Sequence, residues 1–546
     1  MRLDLPIPVA ILALPLLVTP TATLAQGGVS ATIIGTVVDS AAAPISGASV
    51  LLEDSATGLR SATVTDSEGR FTLANLRPGG PYTLTVTQMG WAPLQRREIR
   101  LRPGETLRVR LVLTKRPIMV DGIEVAVAAA DPTFSATSTG AMTHVEAAMI
   151  SSLPVVERNI VELASLSPMV RAEDGRISIA GQNERFNRMQ VEGAILQDVF
   201  GLSPTGVPGG EAGAKLLPLL ALEQYQVAVA PFDVRQSGFT GGVLNAVTRS
   251  GSNEWRGSAF GTFRDRHLLG DLTLDGREFP IEDFGRTQVG FSLGGPLKRD
   301  RAHLFVAFET DRRRIPVGGY HLGTSDPIRV GIQPDSARRM AEALEAVFGG
   351  GVGTEGPLAL ENPTTNLFTR LDLQPSAAHR VVLIHNLIDA KKDIAPNREP
   401  FDEYEFSSTA TRLESRTHAL TLQWFSTVGG RVSNQFLVNT QHTRRRNRAL
   451  SDLPLIEVDV RSDFEDGMRR RRVRAGGDLF AQRDEVEQTV FQIANDVSVP
   501  LGVNRLDAGV SVDVLHAVLK KNLSRNCLWM PMVLTQAFIQ RDKETC

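Results

Sequence analysis

The sequence predicts a mostly β protein with an N-terminal seven-stranded β-sandwich, a mixed α/β domain and an incomplete antiparallel transmembrane β-barrel. Three observations lead to this fold class. Seven short alternating segments, separated by turn residues, occupy residues 31–114. Nine longer segments of period two begin at Trp255. The connections between those nine segments alternate between short and long, which is typical of outer-membrane barrels.

Composition excludes several classes of protein. The chain has 546 residues, of which 42% are hydrophobic and 22% charged, as expected for several folded domains. Its net charge of −2 gives no electrostatic support for a nucleic-acid partner. The only cysteines are Cys527 and Cys546, so the body of the chain has no disulfide or cysteine metal site. We predict no catalytic residue, no metal site and no cofactor.

The N-terminus has the pattern of a secretory signal peptide over residues 1–25. A charged start is followed by an apolar run, Ile7–Val18, and by small residues ending at Ala25. A membrane anchor is the alternative, but the run is too short to span a bilayer and contains two prolines. No later stretch has eighteen consecutive apolar residues, so an exported chain of this kind would enter a membrane as a barrel.

Residues 31–114 form the predicted sandwich. Three motifs, Gly35–Asp39, Pro44–Ala48 and Thr65–Phe71, resemble the carboxypeptidase regulatory-like (transthyretin-like) domain. No zinc-ligand spacing accompanies them, so we expect a folded periplasmic spacer rather than a peptidase. The predicted strands are Ile33–Val38, Ala48–Glu53, Ala62–Thr65, Arg70–Leu73, Tyr82–Gln88, Glu98–Leu101 and Thr106–Leu113.

The segment Ser237–Arg264 changes character midway. Glycines crowd its first half, and an aromatic/polar alternation begins at Trp255. It resembles the junction between plug and barrel in TonB-dependent outer-membrane receptors of the Oar-like group. The resemblance implies binding and energised uptake of a bulky solute, such as an oligosaccharide or peptide. It also implies the outer membrane of a Gram-negative bacterium, with the N-terminal domain in the periplasm. The implied partners are TonB with its inner-membrane energising complex, and outer-membrane lipid and lipopolysaccharide.

A linker is predicted over residues 115–135. Between its prolines lies Val120–Val127, an extended segment suited to adding a strand to a partner sheet. In position it resembles the TonB box, the segment that the energy coupler grips. A last sandwich strand followed by an ordinary linker is the alternative. The TonB-box candidates are Asp121, Gly122, Ile123, Glu124 and Val125.

Residues 136–250 resemble the plug domain of that family. Thr143 and Glu146 predict a capping box that opens a helix, and Glu157–Leu166 predicts a second one. Ile177–Asn183 and Met189–Gly193 predict two strands joined by a turn, and Leu222–Val229 predicts a third strand. We expect Gly201–Gly213 to be an exposed loop near the ligand side. The predicted ligand-side residues of the plug are Gln182, Asn183, Arg185, Asn187 and Glu192, the last standing where the family usually has Asp.

Residues 251–513 are predicted as a partial barrel. In each segment one face is apolar and the other polar, which fits lipid outside and water inside. Short turns are expected at 295–301, 374–379, 427–431 and 498–504, with long loops between them. The nine predicted strands are Trp255–Arg264, Arg286–Gly294, Ala302–Glu309, Asn366–Leu373, Arg380–Ile388, Arg416–Ser426, Val432–Thr440, Val486–Val497 and Arg505–Asp513.

Three other features of the barrel region have ordinary explanations. Gly290–Gly294 matches G-x-S-x-G, but it lies inside an alternating strand, so Ser292 is a poor candidate nucleophile. The arginine runs 444–446 and 469–472 are assigned to one long loop, where they would face solvent or anionic lipopolysaccharide. Asp335–Phe348 predicts a capped amphipathic helix in another long loop.

The number of strands is too small for a closed barrel around a plug, which takes about 22. Residues 514–546 show no alternation, and we expect them to be an aberrant tail of a chain cut short. Two alternatives remain open at this point. One is an exported carbohydrate-binding or adhesin-like surface protein, and the other is an exported hydrolase that depends on Ser292.

Overall fold

The structure is a computed structural model, and it describes most of the chain. The predicted signal peptide (1–25) and the TonB-box candidates Asp121–Val125 lie outside the described residues. Those residues are 30–115, 141–153, 157–173, 176–229, 231, 237–269, 272–274, 277–279, 283–317, 321, 330–348, 353–354, 358–398, 403–429, 432–464, 467–478, 481, 484–501, 504–521 and 532–535.

The first domain consists of two sheets packed over one apolar core, which confirms the seven-stranded sandwich. One sheet has the order β4-β1-β7 and the other β3-β2-β5-β6. Alternate residues such as Ile33, Leu52 and Leu111 are buried between the sheets, as the period of two requires. The strands are β1 (Ala31–Asp39), β2 (Ser49–Asp54), β3 (Arg60–Val64), β4 (Arg70–Leu76), β5 (Gly79–Thr87), β6 (Leu94–Leu101) and β7 (Thr106–Leu113).

Residues 141–248 fold as a small α/β unit. Its main sheet has the order β12-β11-β14-β13-β8, in which β11 and β14 are parallel and β8 is an edge strand. Two short helices and a β9–β10 hairpin accompany the sheet. The elements are β8 (Ala141–Glu146), α1 (Ala147–Ser152), α2 (Ile160–Ala164), β9 (Val170–Glu173), β10 (Arg176–Ile179), β11 (Arg188–Val191), β12 (Ala194–Ile195), β13 (Leu222–Val229) and β14 (Gly242–Thr248).

One local prediction for this unit is wrong. The expected capping box of Thr143 and Glu146 lies in β8, because pairing with β13 along six residues outweighs the local helix signal. Helix α1 starts only after Glu146, whose side chain makes no capping bond. The two strands predicted at Ile177–Asn183 and Met189–Gly193 are present as β10 and β11; β10 pairs with β9, and β11 pairs with β12 and β14.

The glycine-rich loop Gly201–Gly213 is largely buried rather than exposed, so the prediction of an exposed loop is also wrong. Ser203, Val207 and Ala212 are inaccessible to solvent. At Gly209 the backbone has a φ of +75°, and a Cβ atom would lie 2.5 Å from the hydroxyl of Ser415, which belongs to a neighbouring strand, Thr411–Val428, of the large sheet described below. The glycines therefore permit close packing against a strand instead of providing a flexible loop.

The nine predicted strands of the partial barrel are all present, in order, in one antiparallel sheet. Its order is β15-β18-β19-β20-β21-β23-β24-β27-β28-β29, so β15 and the short β29 are the edges within the part of the chain that is described. Short turns and long connections alternate as predicted. The elements are β15 (Arg256–Asp265), β16 (Leu272–Leu274), β17 (Arg277–Phe279), β18 (Gly285–Lys298), β19 (Ala302–Pro316), α3 (Pro334–Phe348), β20 (Ala359–Ser376), β21 (His379–Ile394), β22 (Tyr404–Glu405), β23 (Thr411–Val428), β24 (Val432–Ala449), β25 (Ile456–Phe464), β26 (Gly467–Ala475), β27 (Asp484–Leu501), β28 (Asn504–Lys521) and β29 (Met532–Thr535).

Most of these strands are longer than predicted. Strand β28 pairs with β27 as far as Lys521, so the predicted end at Asp513 is eight residues short and the expected tail begins inside a strand. The two arginine runs do not share a loop. Residues 444–446 belong to β24, and residues 469–472 belong to β26. Backbone pairing continues here although the apolar/polar alternation of the side chains has ended.

The long connections fold together on one side of the sheet. Strands β22, β26 and β25 form a small sheet, which packs with α3 around a separate apolar core. Helix α3 confirms the amphipathic helix predicted at Asp335–Phe348. We call this group, built from residues 330–348, 403–409 and 453–475, the loop module.

No helix in the described part of the chain combines the length and the apolar character needed to cross a bilayer.

Candidate functional site

The two faces of the large sheet differ in chemistry. On β23 the inward residues Thr417, Thr421 and Gln423 are buried. The outward residues Leu420, Leu422 and Trp424 are 44%, 38% and 48% exposed. The same outward apolar pattern appears on neighbouring strands, in Val289, Phe291, Leu293, Leu383, Phe491, Ile493, Leu506, Val510 and Val512. A continuous exposed apolar face of this kind is typical of a surface that meets lipid.

The inward face of the large sheet, which we call the wall, mixes polar and apolar residues, and the α/β unit lies against it. Amide groups of the wall donate hydrogen bonds to backbone carbonyls of the unit, which gives those buried carbonyls a partner. Five such bonds join Asn362 to Ala212 (2.8 Å), Asn366 to Lys215 (2.7 Å), Asn386 to Leu216 (2.7 Å), Gln423 to Glu192 (2.6 Å) and Asn439 to Ile195 (2.9 Å). The unit is therefore held by polar bonds to the wall together with apolar packing against residues such as Phe368 and Ile384.

One ion-pair cluster centres on Arg370 of β20, which is 1% exposed. Its Nε donates to Asp372 Oδ2 at 2.7 Å on the same strand. Its Nη1 donates to Glu192 Oε1 at 2.5 Å and to Thr248 Oγ1 at 2.8 Å, both in the α/β unit. Glu192 also accepts from the backbone N–H of Thr248 at 2.7 Å. Arg370 thus joins the wall to the α/β unit through buried, charge-assisted bonds.

A second ionic cluster lies nearer the long connections. Lys215 of the α/β unit donates to Glu309 Oε1 at 3.1 Å and lies 3.3 Å from Asp311 Oδ2, both on β19. Glu157, also in the α/β unit, binds Arg286 at 2.9 Å and contacts Arg313. Burial raises the pKa of Glu157, but the bonds from Arg286 and Arg313 outweigh it and hold that pKa below its ordinary value.

The structure separates the predicted ligand-side residues into two groups. Gln182, Asn183 and Arg185 share one exposed surface, where Arg185 donates to the carbonyl of Gly201 at 2.9 Å. Asn187 and Glu192 are buried. The carboxylate of Glu192 is fully used in the Arg370 cluster, whereas the Oδ1 atom of Asn187 has no hydrogen-bond partner.

The sequence interpretation missed Arg370 and the wall amides. A signal for the amides exists, because Gln423, Asn439, Gln441, Gln488 and Gln492 all occupy inward positions at a spacing of two. Arg370 gives no such signal, because its partner Glu192 is 178 positions away.

The serine of the G-x-S-x-G match lies inside a strand of the large sheet, as the sequence predicts. Ser292 lies in the middle of β18, which pairs with β15 on one side and β19 on the other. Its hydroxyl lies 2.8 Å from that of Ser258 across the strand pair. Among the residues that the structure describes, no group of three or more His, Cys, Asp or Glu side chains could hold a metal ion.

Comparison with known proteins relates two segments to domain families. Residues 32–114 match the carboxypeptidase regulatory-like domain, and residues 247–327 match an outer membrane beta barrel domain. The chain is homologous to the TonB-dependent transporter Oar of Myxococcus xanthus, with 29% identity over 321 residues. That match covers 55% of this chain and 28% of the relative. These relationships indicate the outer membrane as the location.

The solved structures that match the chain include a transporter and a receptor. The transporter YddB of Escherichia coli matches with 14% identity and a TM-score of 0.48, over 69% of this chain and 48% of that one. A mutant of the ferric enterobactin receptor PfeA of Pseudomonas aeruginosa matches with 11% identity and a TM-score of 0.43, over 69% and 49%. The chain therefore spans about half the length of these receptors.

Proposed function

We propose that this chain provides the plug and part of the barrel of a TonB-dependent outer-membrane transporter. The α/β unit is the plug, and the sheet from β15 to β28 is a wall of the barrel. The sandwich stands on the side of the short turns, which is the periplasmic side in such barrels. One observation carries the proposal: the α/β unit packs against and hydrogen-bonds to the inward face of a sheet whose other face is apolar and exposed.

The plug meets the wall through two kinds of contact. Hydrogen bonds and ion pairs can be replaced by water as the plug shifts. An apolar patch, which includes Phe305, Phe368 and Ile384 of the wall, packs against the plug core and would be exposed when the plug moves, so movement needs an external supply of energy. The ion-pair clusters at Arg370 and Lys215 then fix the position of the plug against the wall at rest.

The edge strand β8 is the first part of the plug to meet a pulling force. It comes after the predicted linker (115–135) in the sequence, and within the described part of the chain it pairs with one neighbour, β13. A partner that adds a strand to the TonB-box candidates and pulls would separate β8 from β13 one pair at a time, starting at Ala141 and Val229. This partner is TonB with its energising complex.

The solute belongs to the same proposal. A bulky oligosaccharide or peptide would meet the loop module and the exposed surface formed by Gln182, Asn183 and Arg185. The loop module has its own core and would present a preformed binding surface. The arginines of β26 are paired, as in the contacts of Arg470 with Asp459 and of Arg474 with Glu457, so this surface is not a simple anion site.

The coupling step can be tested without knowing the solute. Ile123→Pro removes a backbone N–H and prevents pairing at the centre of the TonB-box candidates, whereas Ile123→Val keeps it. We expect the proline variant, in lipid vesicles, to cross-link to the TonB C-terminal domain roughly tenfold less than the valine variant. Equal cross-linking would refute the assignment of the linker. An adhesin-like protein would instead be released into the medium rather than sediment with outer membranes.

A further inference from the structure

The sandwich is fastened to the rim of the large sheet through one unusual residue, Asn75. Its φ of +58° lies in the left-handed region, which few residues other than glycine adopt. In this conformation its Nδ2 donates to the carbonyl of Ser426 on β23 at 3.3 Å and to that of Asn434 on β24 at 3.1 Å. Its own carbonyl accepts from Arg380 of β21 at 3.3 Å. A single asparagine therefore bridges three adjacent strands.

Other contacts extend this junction along the rim. Gln374 donates to the carbonyl of Arg60 at 2.9 Å, and the backbone N–H of Asn253 donates to the carbonyl of Ala56 at 2.9 Å. At Gly58, with a φ of +69°, a Cβ atom would lie 2.0 Å from a carboxylate oxygen of Asp300, so a larger residue would strain the backbone and displace the side chain of Asp300 at the β18–β19 turn. All of these barrel residues lie at the short-turn ends of the strands or just before β15.

The junction is broad. Two of the spaces between the sandwich and the rim are small, about 60 Å³ beside Tyr82 and about 30 Å³ beside Thr106. The second space is lined by residues of β24, β27 and β28. The sandwich also approaches the plug, because a Cβ atom built on Gly79 would lie 3.9 Å from a carboxylate oxygen of Glu223. It thus reaches from the β18–β19 turn to β28, on the side from which the linker is pulled.

We propose that the sandwich is a docked lid, which blocks movement of the plug towards the short-turn side until it is released. The inference rests on the proposed function and replaces the role of passive spacer. The predicted linker (115–135) lies in the sequence between the last strand of the sandwich and β8, so a pull on the linker loads both. The lid leaves the rim first, and β8 then separates from β13. A lid must be held by defined contacts with several strands, whereas a passive spacer needs no such contacts.

A cross-link across the junction tests the order of these events. Cysteines replace Arg60 and Gln374 in a chain in which Cys527 and Cys546 are serine, and a short bismaleimide joins them. The chain is inserted in a bilayer, and a handle in the linker is pulled in a single-molecule force experiment. We expect the unlinked chain to show lid release followed by extension of the plug, and the linked chain to show no plug extension at the same force.

The opposite results separate the two proposals. If linked and unlinked chains extend at the same force, the lid is refuted while the plug remains. If the unlinked chain never extends beyond the linker, the plug assignment itself fails and the lid fails with it.

A substitution at the bridge gives an independent test. Asn75→Gly tolerates the left-handed backbone but removes two donated hydrogen bonds, so lid release should become roughly 10- to 100-fold faster at a given force. Ala42→Gly is the matched control, because Ala42 also has a positive φ, of 65°, in the same sandwich but is exposed in a turn away from the rim. Equal release rates in the two variants would overturn the role of Asn75 and of the docked state.

Discussion

Replacement of Arg370 by methionine should loosen the plug more than any other single change at the wall. The side chain of similar length fills the space but leaves Glu192 and Asp372 buried without their cation. Removing one partner of a buried ion pair costs about 3–5 kcal/mol, because the remaining charge stays out of water. Here two carboxylates lose the same partner, so we expect a value within that range even if one of them takes up a proton.

Hydrogen exchange of the plug amides measures this loss directly. In lipid vesicles, amides of β11 and β14 should exchange roughly 150- to 5,000-fold faster in Arg370→Met than in the parent chain. Arg264→Met is the control. Arg264 is exposed and has no ion-pair partner within the described residues, so its loss should change stability by less than about 0.5 kcal/mol.

A compensating variant separates charge from packing. Glu192→Gln and Asp372→Asn, added to Arg370→Met, remove the uncompensated charges and should recover much of the lost protection. If Arg370→Met and Arg264→Met exchange alike, Arg370 does not hold the plug. If the triple variant is no better than Arg370→Met, the loss comes from packing and the electrostatic explanation is wrong.

Three further predictions concern the plug and the membrane face. Burial, and secondarily Arg102, lowers the pKa of His144 to about 4, so the unfolded chain takes up the proton first as pH falls. The stability of β8 should therefore be at its maximum above pH 6.5 and decline by up to about 3 kcal/mol towards pH 4. Hydrogen exchange of the β8 amides, measured at pH 7.5 and at pH 5, checks this prediction. The His144→Gln variant should lose the pH dependence. Leu422→Arg, in the outward apolar face of β23, should disfavour membrane insertion by about 2–4 kcal/mol. The control Glu414→Arg, which is outward but beyond that face, should cost less than about 1 kcal/mol. Equal insertion of both variants into vesicles would contradict the assigned lipid face. Gln423→Leu leaves the carbonyl of Glu192 without its hydrogen-bond donor, which should lower local stability by about 1–3 kcal/mol. Hydrogen exchange at Gly193 and Ala194 should therefore accelerate. Exchange no faster than in the parent chain would refute the role of the wall amides.

The sequence predicts the strands of the sheet well where lipid and water impose opposite demands on alternate residues. Beyond the apolar face this signal ends, although the strands continue. In β23, Arg412, Glu414 and Arg416 point outward, so the polarity no longer alternates and the predicted strand starts five residues late. In β28 both faces are apolar after Asp513, which removes the alternation for the opposite reason.

The α/β unit was harder to predict because its contacts join distant parts of the sequence. A capping signal at Thr143 is local, but the partner of β8 is β13, about 80 positions later. The loop Gly201–Gly213 has the composition of an exposed loop, and only the wall residues Asn362 and Ser415 explain why it is buried. No local pattern indicates that Asn75 contacts the rim, since its partners are more than 300 positions away.

The alternation along β23 offers the most direct measurement of whether this sheet separates lipid from a plug. Spin labels are placed one at a time from Leu420 to Phe425 in vesicles, and their collisions with oxygen and with a water-soluble nickel complex are recorded. We predict high oxygen accessibility at Leu420, Leu422 and Trp424, with immobile, inaccessible labels at Thr421, Gln423 and Phe425. Outward labels that meet the nickel complex, or inward labels that move freely, would contradict the account.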